Sequence, residues 1–244
     1  TGSGRSTRGC PGGAFPSMDI VAASVSLEGK HPRDILEWTF QNLSDVVLTT
    51  AWQPSGLVIL DLLHEIGRHP PVLFVDTLFH FQETLDLARV LADRYDLDLR
   101  VYRPAGLDSE AAFTAAHGEA LWDRDLDLYQ ELTKVEPLRR AMRETGAKAW
   151  ISGRRRDQGG DRKDLPILEL AGGRIKVNPL AAWTRKEVWG YLLSKGIPYN
   201  PLHDQGFPSI GDRPLTEKAD VGEGERSGRW KGRGKTECGI HTNM

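Results

Sequence analysis

The sequence predicts an α/β fold, a mostly parallel twisted sheet with flanking helices. Short apolar runs rich in β-branched residues recur at 45–50, 71–77 and 99–102, and helical patterns separate them. Such alternation is typical of consecutive βαβ units, whose strands are parallel. The chain has 244 residues, of which 39% are hydrophobic, enough to bury one full core. We therefore expect a single α/β domain over residues 19–221.

The two ends of the chain differ from this central region. Residues 1–18 are rich in Gly, Ser and Arg and contain no Asp or Glu. This composition predicts a disordered leader, either a transit-peptide remnant or sequence added for expression. Residues 222–244 hold glycines that give the backbone freedom, and we predict a flexible tail there. Cys10 lies in the leader and is interpreted as a thiol without function.

Charge and cysteine content exclude several classes of protein. The net charge is −2, which argues against nonspecific binding of nucleic acid over the whole surface. No run of about 18 apolar residues occurs, so we expect no membrane span. Two cysteines cannot build a disulfide framework or a four-cysteine metal site. Their number fits a reducing compartment, such as the cytoplasm or the plastid stroma.

The remaining elements are predicted from apolar spacing and from capping residues. Residues 22–42 are predicted to form one or two helices, with Pro32 at a helix start. Residues 167–170 and 174–177 flank a Gly-Gly turn and predict a β-hairpin. Thr184 is a good helix N-cap, with Glu187 at the capping-box position.

A turn rich in hydroxyl groups follows the first strand. Thr49 and Thr50 end the strand, and Ser55 is a plausible N-cap of a helix over 57–66. A strand, a turn and a helix in this order can present backbone amides and a helix N-terminus to a phosphate. Thr77 ends the second strand at the same edge, where doubly wound sheets bind ligands. These four residues are candidate substrate-binding residues.

A dense charge run follows the strand predicted at 147–153. Arg155 and Arg156 come just after Gly153, at a strand end where forked guanidinium donors can meet a dianionic ligand. Gly159 and Gly160 favour a mobile flap over that ligand. The alternative interpretation of 154–163 is a solvated surface loop. His203 has no partner ligands at suitable spacing, so we predict no metal site there.

The C-terminal residues have the composition of an activated thiol. Cys238 lies three residues after Lys235 and three before His241. A thiol acts as a nucleophile only as its thiolate, and nearby positive charge favours that form. We predict that Cys238 is catalytic and that Lys235 and His241 bind the substrate beside it. The alternative is a frayed terminus that happens to contain a cysteine.

The tail resembles the Glu-Cys-Gly-Leu-His signature of the phosphoadenylyl sulfate and adenylyl sulfate (PAPS and APS) reductases. The resemblance extends from about Leu43 to His241 and includes a Gly-x-Arg-Arg-x-Gln motif at 153–158. It implies an adenine nucleotide alpha hydrolase-like fold, related to the ATP pyrophosphatases. Pro54 stands where those enzymes have an aspartate, and Ala51 and Trp52 stand at their glycine positions. Losing that carboxylate removes a magnesium ligand and disfavours cleavage of ATP.

The same resemblance implies roles for further residues. Lys134 lies in Lys-Val-Glu-Pro-Leu, a family segment whose lysine approaches the phosphosulfate. Arg226 and Arg229 match family arginines that grip the same group. A nucleic-acid patch is the competing interpretation of 222–230, but the interleaved acids Glu223 and Glu225 weaken it.

The resemblance is to the class of the family without an iron–sulfur cluster. Cluster-bearing members have cysteines at the positions of Tyr129, Gln130, Asp212 and Leu215. A [4Fe–4S] centre needs thiolate ligands, so we expect no cluster and no bound metal.

The mechanism that the resemblance implies is thiol chemistry. Cys238 attacks the sulfur of the substrate and becomes a Cys S-sulfonate, and external thioredoxin or glutaredoxin then releases sulfite. Absence of the cluster cysteines is the usual mark of the PAPS class. The segments 209–216 and 222–230 nevertheless resemble the APS class with its cysteines replaced, which slightly favours APS. We expect no nucleic-acid or membrane partner, and a homodimer is left open.

Two other functions fit parts of the sequence. An ATP-pyrophosphatase-like or FAD-synthetase-like adenylating enzyme would share the architecture. A nucleotide-binding module without catalysis would share the substrate-binding residues but would not need Cys238.

Overall fold

The computed structural model describes residues 18–219 and 224–229, and its centre is one six-stranded sheet. The strand order is β3-β2-β1-β4-β6-β5. All neighbouring strands are parallel except β5 and β6, which form an antiparallel hairpin at one edge. The strands are β1 Val46–Thr49, β2 Val72–Val75, β3 Leu99–Tyr102, β4 Ala149–Ile151, β5 Leu168–Ala171 and β6 Arg174–Val177. The predicted mostly parallel α/β fold and the predicted hairpin are both confirmed.

Nine α-helices are found in the described parts of the chain. They are α1 Ile20–Leu27, α2 Pro32–Asn42, α3 Pro54–Glu65, α4 Gln82–Tyr95, α5 Glu110–His117, α6 Leu121–Arg124, α7 Leu126–Gln130, α8 Glu136–Glu144 and α9 Arg185–Lys195. A π-helical turn, Glu131–Val135, joins α7 to α8. Within the described ranges, no helix is long and apolar enough to cross a membrane.

The core has two layers because consecutive strand side chains point to opposite faces of the sheet. Val46 and Leu48 of β1 face the larger cluster, which α2, α3, α4 and α9 cover. Val47 faces the smaller cluster on the other side, where it meets Leu138 and Met142 of α8. A third cluster joins α5–α7 to Phe79 and Leu215 beyond the strand ends.

Capping residues explain where two of the predicted helices begin. Thr184 and Glu187 form the predicted capping box at the start of α9. Pro32 is the first residue of α2, where its missing N–H costs nothing.

The start of α3 differs from the prediction. Pro54 is the first helical residue and Gln53 is the N-cap, so Ser55 lies inside the first turn. The prediction of Ser55 as N-cap was wrong, because the fixed φ of proline already suits the first position of a helix.

Candidate active site

A cavity of about 220 Å³ opens at the carboxyl ends of β1, β2 and β4. The chain proceeds from β1 outward to β2 and β3, and then returns to place β4 on the other side of β1. The reversal makes the β1/β4 boundary a topological switch point, where open α/β sheets bind ligands. Thr49 and Gly153, at the ends of these two strands, both line the cavity.

Hydroxyl groups and the start of α3 form one side of the cavity. Thr49, Thr50 and Ser55 line it, and their predicted role in binding the substrate stays a prediction. The Thr50 hydroxyl accepts a hydrogen bond from the backbone N–H of Trp52 at 3.0 Å. In the described part of the chain no side chain caps α3. The positive end of this helix dipole therefore points at the cavity without a protein anion on its cap.

Trp52 shapes the turn in a way that the sequence did not reveal. Its φ is 58°, the left-handed region that glycine usually occupies. The indole is 1% exposed and meets the Phe74 ring edge-on, with 5.4 Å between centroids. Packing against the core thus holds a backbone conformation that residues with a side chain rarely adopt.

The three arginines after β4 have different surroundings. Arg154 lines the cavity and donates to Asn178 Oδ1 at 3.2 Å and to Glu169. Arg155 is 1% exposed and donates to Ser55 Oγ, behind the cavity wall. Arg155 therefore supports the turn from behind.

Arg156 points to another part of the molecule. Its guanidinium pairs with Glu28 at the end of α1, with Nη1 and Oε2 3.1 Å apart, and Nε donates to the Leu165 carbonyl at 2.7 Å. Among the described residues that line the cavity, Arg154 is present and Arg156 is not. The structure thus gives no support to Arg156 as a substrate contact.

Lys134 forms part of the cavity wall from the π-helical turn. Its ammonium lies 2.6 Å from Asp212 Oδ2, and both side chains are buried. Burial by itself raises the pKa of Asp212, but the positive charges of Lys134 and its neighbours outweigh burial and lower that pKa to about 2. Thr77, another predicted residue, is 1% exposed and donates to the other oxygen of Asp212 at 2.9 Å.

The segment 224–229 forms another part of the cavity wall. Arg226 and Arg229 line the cavity, and the contact with the phosphosulfate that the resemblance implies stays a prediction. Arg229 Nη1 donates to Ser209 Oγ at 3.4 Å and to the Ile210 carbonyl at 3.3 Å. Glu225 also lines the cavity and accepts from Arg155.

Several cavity residues were not predicted from the sequence. Gln53 bridges the turn to the loop at 210, donating to the Ile210 carbonyl at 2.7 Å and accepting from its N–H at 3.1 Å. His80 lies beyond the end of β2, and Gln158 follows β4. Gln158 is the last residue of the 153–158 motif, but no site role was predicted for it, and distant segments bring it together with Gln53 and His80.

The catalytic prediction lies outside the described residues. Cys238, Lys235 and His241 all fall in 230–244, so their placement stays a prediction. Within the described ranges, no group of three or more His, Cys, Asp or Glu side chains could hold a metal ion.

Comparison with known proteins identifies the family. Residues 45–218 match the model of the phosphoadenosine phosphosulfate reductase domain. A phosphoadenosine phosphosulfate reductase of Emericella nidulans is 44% identical over 233 residues, which cover 93% of this chain and 76% of the relative. An adenosine 5'-phosphosulfate reductase of Salinibacter ruber is 42% identical over 234 residues, covering 94% and 91%.

A solved structure agrees with both relatives. The phosphoadenylyl-sulfate reductase of Candida auris, in a phosphate complex, aligns with a TM-score of 0.77 and 36% identity, covering 84% of this chain and 98% of that one. The chain therefore belongs to the phosphoadenosine phosphosulfate reductase family and is an oxidoreductase that acts on a sulfur group.

Proposed function

We propose that the chain reduces APS, or its 3′-phosphorylated form PAPS, to sulfite and AMP or PAP. The observation that carries this proposal is the cavity at the β1/β4 switch point. It combines the Thr49–Ser55 turn, suited to a nucleotide phosphate, with the cations Lys134, Arg226 and Arg229. An adenylating enzyme of the same fold is the alternative, and membership of the reductase family favours reduction.

The proposed chemistry has two steps. The Cys238 thiolate attacks the substrate sulfur, a sulfur–sulfur bond forms, and the bond from sulfur to the phosphate oxygen breaks. A dithiol then attacks the Cys238 sulfur and sulfite leaves. The dithiol ends as a disulfide, and this oxidation supplies the two electrons. We propose thioredoxin or glutaredoxin as this dithiol.

The first step brings an anion towards an anion. Lys134, Arg226 and Arg229 offset that repulsion and stabilise the charge that develops on the leaving phosphate. Lys235 and His241 are proposed to act beside the thiol. Gly232 and Gly234 would allow the tail to approach the substrate and then to withdraw for the dithiol.

APS is the proposed substrate of the two nucleotides. The segments 209–216 and 222–230 resemble the APS class. Of the three similar proteins above, two are named for PAPS and one for APS, so the choice depends on measurement. The value of kcat/KM for sulfite release, measured with each nucleotide and thioredoxin, tests it, and a preference for PAPS would reject APS.

The proposal includes no iron–sulfur cluster. The positions that carry cysteines in cluster-bearing members hold Tyr129, Gln130, Asp212 and Leu215 here. None of these side chains is a thiolate, which a [4Fe–4S] centre needs. Purified protein that turns over in proportion to bound iron would contradict this part.

The decisive experiment uses the two cysteines as a matched pair. Mixing the protein with APS before any reductant should add one SO3 unit to the peptide that contains Cys238. Cys238→Ser should abolish both the adduct and turnover, whereas Cys10→Ser should preserve both. Turnover that persists in Cys238→Ser would reject the mechanism, and magnesium-dependent pyrophosphate release from ATP would support the adenylating alternative.

A further inference from the structure

A buried ion pair forms part of the cavity wall. Lys134 Nζ and Asp212 Oδ2 are 2.6 Å apart, and their side chains are 7% and 1% exposed. Burying two charges costs several kcal/mol of desolvation. A buried ion pair is therefore weak evidence that its only role is to stabilise the fold. Its position beside the cavity therefore calls for a functional explanation.

Asp212 is fixed by more than its lysine. Thr77 Oγ1 donates to Oδ1 at 2.9 Å, and the Tyr129 hydroxyl donates to Oδ2 at 3.0 Å. Backbone contacts add to this, since Arg213 N–H donates to the Phe79 carbonyl at 2.8 Å. The carboxylate is thus held from the end of β2, from α7 and from the π-helical turn.

The tyrosine is a donor that stays protonated. Its side chain is 0% exposed and packs against Phe79, with 5.5 Å between ring centroids. Burial, together with the charge of Asp212, raises the pKa of Tyr129 far above its usual value. The phenol therefore keeps its proton at physiological pH, where it donates to Asp212.

Among the described residues the ammonium pairs with one carboxylate, so it has further donors for a ligand. It carries three N–H groups, and the bond to Asp212 uses one of them. A lysine side chain is long and flexible, so an ammonium without a fixed partner would occupy many positions. The fixed carboxylate selects the position beside the cavity.

We propose that Asp212 is a positioning residue for the sulfur-transfer step. It holds the Lys134 ammonium where that charge stabilises the leaving phosphate, while the Cys238–sulfur bond forms and the bond from sulfur to the phosphate oxygen breaks. The electron pair of the broken bond leaves on that oxygen, and Asp212 neither gives nor takes a proton. The inference rests on the proposed function.

A double-mutant cycle tests the proposal. The readout is the single-turnover rate of Cys238 S-sulfonate formation without reductant, followed by quenched mass analysis. Lys134→Met and Asp212→Asn should each slow this step by about 100-fold, the scale of one lost transition-state contact. The double variant should be no slower than Lys134→Met alone, because Asp212 acts through the lysine.

A merely structural carboxylate would give another pattern. The effects of the two substitutions would then multiply, or Asp212→Asn would lower the melting temperature while the folded fraction reacts at the normal rate. Either result overturns the proposal. No S-sulfonate in the unaltered protein would instead reject the proposed function itself, so the two failures are distinguishable.

A milder variant covers the case in which Asp212→Asn does not fold. Tyr129→Phe keeps the ring packing and removes one hydrogen bond to Asp212, and should slow the step by roughly 3- to 10-fold, the worth of one hydrogen bond. In a Lys134→Met background it should have no further effect, and an equal slowing in both backgrounds contradicts the proposal. Glu131→Gln is the control, since Glu131 pairs with Arg139 on the exposed side of the same turn and should leave the rate unchanged.

Discussion

His80 is a cavity residue whose charge depends on pH. Its Nε2 lies 3.1 Å from the Val75 carbonyl, which fixes the Nε2–H tautomer. Nδ1 is shielded from solvent and has no hydrogen-bond partner in the described part of the chain. Burial lowers the pKa of His80, and the negative charge of Asp212 opposes this without cancelling it. The imidazole is therefore neutral at physiological pH, with an acceptor nitrogen beside the ligand site.

A lowered pKa makes stability depend on pH in a defined direction. The unfolded chain takes up a proton at His80 near pH 6.5, and the folded chain does so only at lower pH. The contribution of the neutral His80 side chain to the free energy of unfolding is therefore full above pH 6.5, and it is lost as the pH falls below that value. We expect His80→Gln to reduce this loss, by up to about 1 kcal/mol per pH unit.

Urea unfolding at pH 7.5, 6.5 and 5.5 measures the effect. Burial also lowers the pKa of His203. Part of the pH dependence of stability should therefore remain in His80→Gln. An unchanged pH dependence in that variant would mean that His80 does not contribute. His203→Gln serves as the matched comparison, because His203 is not among the residues that line the cavity.

At the scale of elements, the segment after β4 packs closely against the first turn of α3 beside the cavity. Gly153 has no side chain, and a Cβ added there would lie 3.0 Å from Ser55 Cβ and 3.1 Å from the backbone nitrogen of Gly56. These atoms belong to the first turn of α3, which cannot move without moving the Thr49–Ser55 turn. The absence of a side chain at Gly153 therefore allows this close packing.

Substituting this glycine should widen the β4–α3 contact. We expect Gly153→Ala to cost about 1–3 kcal/mol of stability, as overpacking does, and to weaken AMP binding. Thermal unfolding and calorimetric titration with AMP measure the two effects. Gly190→Ala is the control: no atom lies within 4 Å of its added Cβ, and in the middle of α9 alanine should stabilise by about 0.5–1 kcal/mol. A Gly153→Ala variant that binds AMP normally would contradict the argument.

Elements with strong local signals could be predicted from the sequence. The hairpin at 167–177 and the Thr184 capping box depend on neighbouring residues only, and both are confirmed. The π-helical turn Glu131–Val135 was not predicted, because its extra residue per turn has no local signature. Ser55 was misplaced by two positions, since Pro54 gave the stronger start signal.

At the scale of the whole molecule, segment 224–229 is attached to both sides of the cavity. Glu225 accepts from Arg155 and lies 3.3 Å from Gln158 Nε2. At the other side, the Glu217 N–H donates to the Gly228 carbonyl at 2.9 Å. Contacts of this kind join residues far apart in the chain, so the sequence could indicate the cations of the site but not their carboxylate partners. That is why Asp212 and Glu225 were missed as site residues.

The carboxylate of Glu225 lines the cavity and should repel an anionic ligand such as AMP. We expect Glu225→Gln to tighten binding of AMP by about 2- to 10-fold, the size of one charge interaction near a protein surface. Titration calorimetry at low and at physiological salt measures this, and the gain should shrink as salt rises. Glu217→Gln is the control, because Glu217 is exposed and is not a lining residue. Weaker binding in Glu225→Gln would show that its contact with Arg155 matters more than its charge.

The hydrogen bonds of Arg229 limit where Cys238, the proposed nucleophile, can lie. Arg229 is bonded to Ser209 and Ile210, and its backbone bridges to Thr216. Cys238 is nine residues further along the chain. Nine residues span at most about 30 Å when fully extended, so covalent geometry confines the sulfur to a sphere of that radius around Arg229. Under the proposed mechanism, a dithiol that releases sulfite from Cys238 must therefore bring its own thiol inside this sphere while Arg229 keeps these hydrogen bonds.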